Sequence, residues 1–103
     1  MRFLMKVSMP VEAANAVIRN GSLPKTMQSI LADLKPEAAY FCADGGLRTG
    51  FLIFDMQDVS QIPAVAEPWF LAFNAAVEIH PVMTPADLAK AQPGIDAAVK
   101  KHT

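Results

Sequence analysis

Six polar side chains in this 103-residue chain have types suited to small-molecule chemistry and fall at alternating positions of strand-like segments. Alternate residues of a strand point to the same face of a sheet. We therefore expect one face to carry Lys6, Tyr40, Cys42, Arg48, Glu78 and His80. There, Lys6 and Arg48 would hold a carboxylate or enolate, and Tyr40 would donate a hydrogen bond. His80 would move a proton near neutral pH, oriented or acidified by Glu78.

The same side chains also have structural interpretations, which the sequence leaves open. Lys6 and Arg48 would equally form ion pairs with acidic residues such as Glu78 at a subunit interface. His80 precedes a proline at the end of a strand, where an exposed imidazole is common. Tyr40 fits a half-buried strand position with its hydroxyl at the edge.

A second candidate group is aromatic and lies in a predicted helix. Apolar residues recur there at three- and four-residue spacing, and they include Trp69, Phe70 and Phe73. Such a stripe is typical of a helix packed on a core. Alternatively, Trp69 would line a ligand pocket between this helix and the sheet.

The elements that must position these groups follow from hydrophobic periodicity and from turn residues. Alternating or strongly apolar runs predict strands over residues 3–9, 37–43, 47–56 and 76–82. Helical spacing fills the first crossover, with a break at Gly21, and returns before the last strand. A C-terminal helix begins after Thr84, and Pro93 with Gly94 should break it. The order β-α-β-β-α-β predicts one ferredoxin-like α+β domain over residues 1–103, an antiparallel sheet with helices on one face plus a C-terminal helix.

Both faces of the predicted strands are apolar, although helices can cover only one face of such a sheet. Phe3, Met5 and Val7 alternate with Leu4, and the third strand has the same character. A second copy of the chain is the simplest cover for the remaining face. We therefore predict a homodimer that pairs through the sheet face.

Composition excludes several classes of protein. The chain has a formal net charge of −1, which gives no field for a nucleic acid backbone. One cysteine and two histidines do not make a structural metal site. No apolar run reaches the roughly 20 residues of a membrane span, and we expect a cytoplasmic protein without metal, cofactor, membrane or nucleic acid partner.

The element order, Glu67-Pro68-Trp69-Phe70 and the segment from Glu78 to Leu88 resemble the dimeric α+β barrel superfamily, and in particular small bacterial members whose role is uncharacterised. The resemblance implies a ferredoxin-like dimer. Members of that superfamily include muconolactone isomerases, cofactor-free quinone-forming monooxygenases, haem-degrading enzymes and stress-responsive proteins. None of their catalytic motifs matches this sequence, so the resemblance assigns no catalytic residue.

Two functions remain open from the sequence. The first is a homodimer that binds a small apolar or aromatic compound with an anionic head group. In this case Lys6, Tyr40, Arg48, Trp69 and Glu78 would bind the compound. His80 would be catalytic if the protein is a cofactor-independent isomerase or monooxygenase. The alternative is a non-catalytic dimer with a structural, sensing or protein-interaction role.

Overall fold

Four strands form one antiparallel sheet in the computed structural model, which describes residues 1–103. They are β1 (Arg2–Met9), β2 (Ala38–Asp44), β3 (Leu47–Asp55) and β4 (Ala76–Pro81). Their spatial order is β2-β3-β1-β4, which is the ferredoxin-like arrangement. The predicted fold class is confirmed.

The helices are α1 (Val11–Arg19), α2 (Leu23–Leu34), α3 (Ile62–Phe73) and α4 (Pro85–His102). A short 3₁₀ turn, Val59–Gln61, precedes α3. The predicted break in the first crossover is present, because Gly21 has a φ of 79° between α1 and α2. The β2–β3 hairpin turns through Gly45 and Gly46, whose φ values of 60° and 81° favour glycine.

The core lies between one sheet face and the helices α1 to α3. Alternate residues of β1 and β3 point into it, and Trp69 packs against Phe73 at a ring distance of 6.0 Å. The largest buried side chains are Trp69, Phe54, Phe73, Met5, Leu52 and Val7. No element of the chain packs over the opposite face, where Leu4, Phe51 and Ile53 are half-buried.

The predicted break in the C-terminal helix is wrong, since α4 continues through Pro93 and Gly94. An interior proline removes one amide donor, and in an exposed helix water satisfies the carbonyl that is left free. The alanines and lysines on both sides of Pro93 and Gly94 have high helix propensity and favour the helical conformation there.

α4 stands apart from the rest of the chain, since each of its 18 residues is exposed. The radius of gyration is 17.4 Å, whereas a compact chain of this length has about 13 Å. The longest dimension is 60 Å against 28 Å for the next, which is consistent with a projecting helix. No helix is both long enough and apolar enough to cross a membrane.

Candidate functional site

Strand register places most of the predicted polar group on the open face of the sheet. Tyr40, Phe51, Lys6 and Glu78 are cross-strand neighbours and form one row over all four strands. Cys42 belongs to an adjacent row of this face and His80 to the row on the other side. The predicted common face therefore holds five of the six residues.

Two carboxylates engage Lys6 on this open face. Its Nζ lies 2.8 Å from Oδ2 of Asp44 and 4.0 Å from Oε2 of Glu78. The hydrogen bond and the charge of Asp44 raise the pKa of Lys6 above its ordinary value, with a smaller contribution from Glu78. The ammonium is thus already paired, and the geometry matches the structural interpretation of Lys6.

Tyr40 and His80 lie near opposite edges of the same face. Tyr40 is on the edge strand β2 and is 70% exposed. His80 is exposed on β4, opposite Leu4, and its ring has no hydrogen-bond partner. Within one copy, no side chain therefore orients this imidazole for proton transfer.

Arg48 corrects the predicted polar cluster, because it lies on the helix face of the sheet. Met9 and Ala43 are its cross-strand neighbours, and its Nη1 donates a 2.9 Å hydrogen bond to Oδ1 of Asn15 on α1. The two-residue glycine turn explains why Arg48 lies on the helix face. It pairs Asp44 with Leu47, so Arg48 must pair with Ala43 and cannot share a face with Cys42.

Trp69 also departs from the predicted ligand pocket. It is 1% exposed, and its indole nitrogen is buried without a hydrogen-bond partner. It belongs to the core cluster and does not line the largest groove of the molecule. Trp69 is therefore a core residue, which agrees with the structural interpretation of the aromatic stripe.

The largest groove lies on the helix face, between α2 and the β2–β3 side of the sheet, and has a volume of about 950 Å³. Half-buried side chains of α2 form one wall. Arg48 is the only charged residue in the lining. Its main apolar residues are Met9, Leu23, Met27, Leu31 and Phe41.

Phe41 forms part of the groove floor, and sequence reasoning missed it. Its neighbour across the strands is Gly50, where a Cβ atom would lie 3.1 Å from Cε1 of the Phe41 ring. The missing side chain gives the ring room to lie against β3. A signal was present, because Phe41 alternates with Tyr40 and Cys42 and so belongs to the helix face.

No group of three or more histidine, cysteine or acidic side chains is arranged to hold a metal ion. The groove lining contains no carboxylate or imidazole, and Arg48 is its one charged side chain. The groove therefore combines a largely apolar lining with a single cationic side chain.

Residues 1–95 match the family described as "Domain of unknown function (DUF3303)". The chain belongs to the DUF3303 family. A comparison of this DUF3303 chain with curated protein sequences gives no significant match.

Two solved structures are similar to the DUF3303 chain in fold. One is 5-chloro-2-hydroxyhydroquinone dehydrochlorinase (TftG) from Burkholderia phenoliruptrix AC1100, in complex with 2,5-dihydroxybenzoquinone. It has a TM-score of 0.63 and 17% identity, over 84% of this chain and 97% of TftG. The other is a formyltetrahydrofolate deformylase from Pseudomonas putida KT2440, with a TM-score of 0.51 and 12% identity. That match covers 80% of this chain but 29% of the deformylase, so the DUF3303 chain corresponds to only part of it.

Proposed function

We propose that this protein binds a small apolar or aromatic compound with an anionic head group in the α2 groove. The observation that carries the proposal is the position of Arg48, the single charged residue in an otherwise largely apolar lining. Ligand sites commonly combine apolar walls with a few polar groups that fix orientation. A guanidinium forms strong, directional hydrogen bonds with carboxylates and enolates.

The charge of Arg48 is available to a ligand. Its hydrogen-bond partner is the side-chain oxygen of Asn15, which is neutral, and no carboxylate forms an ion pair with it. Lys6 differs, because Asp44 already pairs with its ammonium. Of these two predicted anion-binding residues, Arg48 is thus the better candidate.

The remaining lining fits a compact ring system. The groove volume of about 950 Å³ falls within the range of roughly 300–1,000 Å³ for small-molecule sites. Met9 and Met27 are flexible side chains that adapt to ligands of different shape. The complex of TftG with 2,5-dihydroxybenzoquinone supports this ligand class, because that compound is a small ring with acidic hydroxyl groups.

The groove in a single copy of the chain favours ligand binding over catalysis. His80, the predicted proton-transfer residue, lies on the opposite face of the sheet from Arg48. A cofactor-independent isomerase or monooxygenase reaction would need a base at the ligand. The groove lining contains no carboxylate or imidazole, and the Cys42 side chain belongs to the opposite face of the sheet.

Calorimetric titration with 2,5-dihydroxybenzoquinone tests the role of Arg48. Arg48→Met keeps much of the side-chain length and removes the charge, and we expect binding about 10- to 100-fold weaker, as for loss of a charged hydrogen bond. Arg19→Met is the matched control, because Arg19 is exposed on α1 and does not line the groove. Equal affinity in wild type and Arg48→Met would remove Arg48 from the site.

We also propose that the open sheet face pairs with a second copy of the chain. Leu4, Phe51 and Ile53 give this face an apolar centre that no helix covers. Ile53→Asp should convert the dimer to a monomer in light scattering, because its cross-strand neighbours are Leu4 and Ala38 and it would bury an unpaired carboxylate. Leu71→Asp is the control, since Leu71 is 80% exposed on α3. A monomeric wild type would refute the pairing.

A further inference from the structure

Asn15 makes the one side-chain hydrogen bond that holds the Arg48 guanidinium at the groove. It is half-buried on α1, and its Oδ1 accepts the 2.9 Å hydrogen bond from Nη1 of Arg48. A guanidinium has donors only, so the side-chain amide must turn its oxygen toward Arg48. Met9 and Ala43, the cross-strand neighbours of Arg48, offer no strong acceptor. The position of the guanidinium therefore depends on one neutral side chain.

Two other cations of the sheet are held by carboxylates. Glu37 pairs with the guanidinium of Arg2, and Asp44 pairs with the ammonium of Lys6. A carboxylate partner offsets the charge of a cation and so leaves less of that charge for a ligand. At Arg48 the partner is an amide, which has nearly the shape of an aspartate side chain but no charge.

Asparagine is not favoured at this place in the helix. Asn15 lies at the centre of α1 and caps neither end. Asparagine is a weaker helix former than the alanines beside it, because its amide competes for backbone hydrogen bonds. Glu12, the acidic residue one turn away on α1, forms no ion pair with Arg48. The chain thus has a less favourable residue at the position that contacts Arg48.

We propose that Asn15 is a positioning residue that makes the groove selective for an anionic head group. This inference rests on the ligand site proposed above. The carbonyl oxygen of Asn15 fixes the guanidinium at the groove and leaves its positive charge to the ligand. A carboxylate at the same position would fix the guanidinium equally well but would offset its charge. Selectivity therefore depends on the neutrality of this side chain as well as on its hydrogen bond.

Asn15→Asp separates the hydrogen bond from the neutrality, because the two side chains have almost the same shape. We expect this variant to bind 2,5-dihydroxybenzoquinone about 10- to 100-fold more weakly than wild type in calorimetric titration, a loss close to that expected for Arg48→Met. The midpoint of urea denaturation should not fall, since the new ion pair would still link α1 to the sheet. A residue that only supports the fold would not lower affinity while stability is kept.

Two further variants and one control complete the experiment. Asn15→Gln retains a neutral carbonyl acceptor and should bind the same compound within about threefold of wild type. Asn15→Leu keeps the size of the side chain but loses the acceptor, and it should weaken binding about 3- to 10-fold. Ala16→Asp places the same charge at the next, exposed position of α1, outside the groove lining, and should bind like wild type.

The pattern of affinities decides between the outcomes. Binding by Asn15→Asp that is as tight as in wild type would overturn the inference. Equal weakening by Asn15→Asp and Ala16→Asp would also overturn it, because negative charge anywhere on α1 would then explain the loss. If Arg48→Met leaves the affinity unchanged, the ligand site itself fails. If Arg48→Met weakens binding and Asn15→Asp does not, the ligand site remains and only the role of Asn15 is rejected.

Discussion

Gly50 offers a direct test of the groove floor. A methyl group at this position would lie 3.1 and 3.2 Å from two atoms of the Phe41 ring, whereas ordinary contacts are 3.4–4 Å. The ring must therefore shift by a few tenths of an ångström, and it can do so because Phe41 is 53% exposed. Replacing a strand glycine by alanine stabilises the folded state by about 0.5–1 kcal/mol, because glycine loses more conformational entropy on folding. Modest overpacking destabilises the folded state by about 1 kcal/mol or more. We expect Gly50→Ala to change the free energy of unfolding by less than about 1 kcal/mol.

A double-mutant cycle measured by urea denaturation separates the two effects. In a Phe41→Ala background the ring is gone, so Gly50→Ala should stabilise the protein by about 0.5–1 kcal/mol. Gly50→Val adds further methyl groups against the ring and should destabilise the wild-type background by about 1–3 kcal/mol. It should also weaken ligand binding in the groove, because the displaced ring alters the floor. A coupling energy near zero between positions 41 and 50 would refute the described contact.

Two further perturbations test the α4 cap and the core. Thr84 accepts a 3.2 Å hydrogen bond from the Asp87 amide, and Thr84→Ala should lower the local stability of α4 by about 0.5–2 kcal/mol, seen as lost helical circular dichroism. The backbone amide and hydroxyl of Thr84 lower the pKa of Asp87. The stabilisation of α4 by the Asp87 carboxylate is therefore present at neutral pH and is lost as the pH falls through that lowered pKa. A helix content that does not change during acid titration would contradict this prediction. Leu52 is fully buried, and Leu52→Ala should cost about 2–5 kcal/mol in urea denaturation, while Leu71→Ala on the exposed side of α3 should cost less than about 0.5 kcal/mol. Similar losses in the two leucine variants would show that the core is misplaced.

The sheet could be predicted because its strands alternate and its turns are marked by glycine. The glycine pair at 45 and 46 and the break at Gly21 both adopt the backbone that their sequence favours. The prediction for Arg48 was wrong because alternation within a strand does not fix the register across the β2–β3 hairpin, which pairs Arg48 with Ala43. A two-residue turn sets the register, and the register decides which face a side chain joins.

The groove itself could not be predicted from the pattern. It lies between α2 and β2, where Phe41 stays half-exposed, and the lateral position of α2 depends on three-dimensional packing. Trp69 shows the same limit, because helical spacing indicates an inward face without showing whether a cavity lies there. The prediction for α4 was wrong for a different reason. The low helix propensity of Pro93 favours a helix end at this residue, whereas α4 continues through it.

The central place of β1 has a consequence for synthesis on the ribosome. This strand is synthesised before the other three strands of the sheet, yet both of its neighbours, β3 and β4, come much later in the chain. Its apolar residues Phe3, Met5 and Val7 stay without sheet partners until residues 47–55 have emerged. Such long-range pairing slows folding and leaves nascent strands open to wrong association. Nascent chains arrested before β3 should therefore bind holdase chaperones, and chains arrested after β4 should release them.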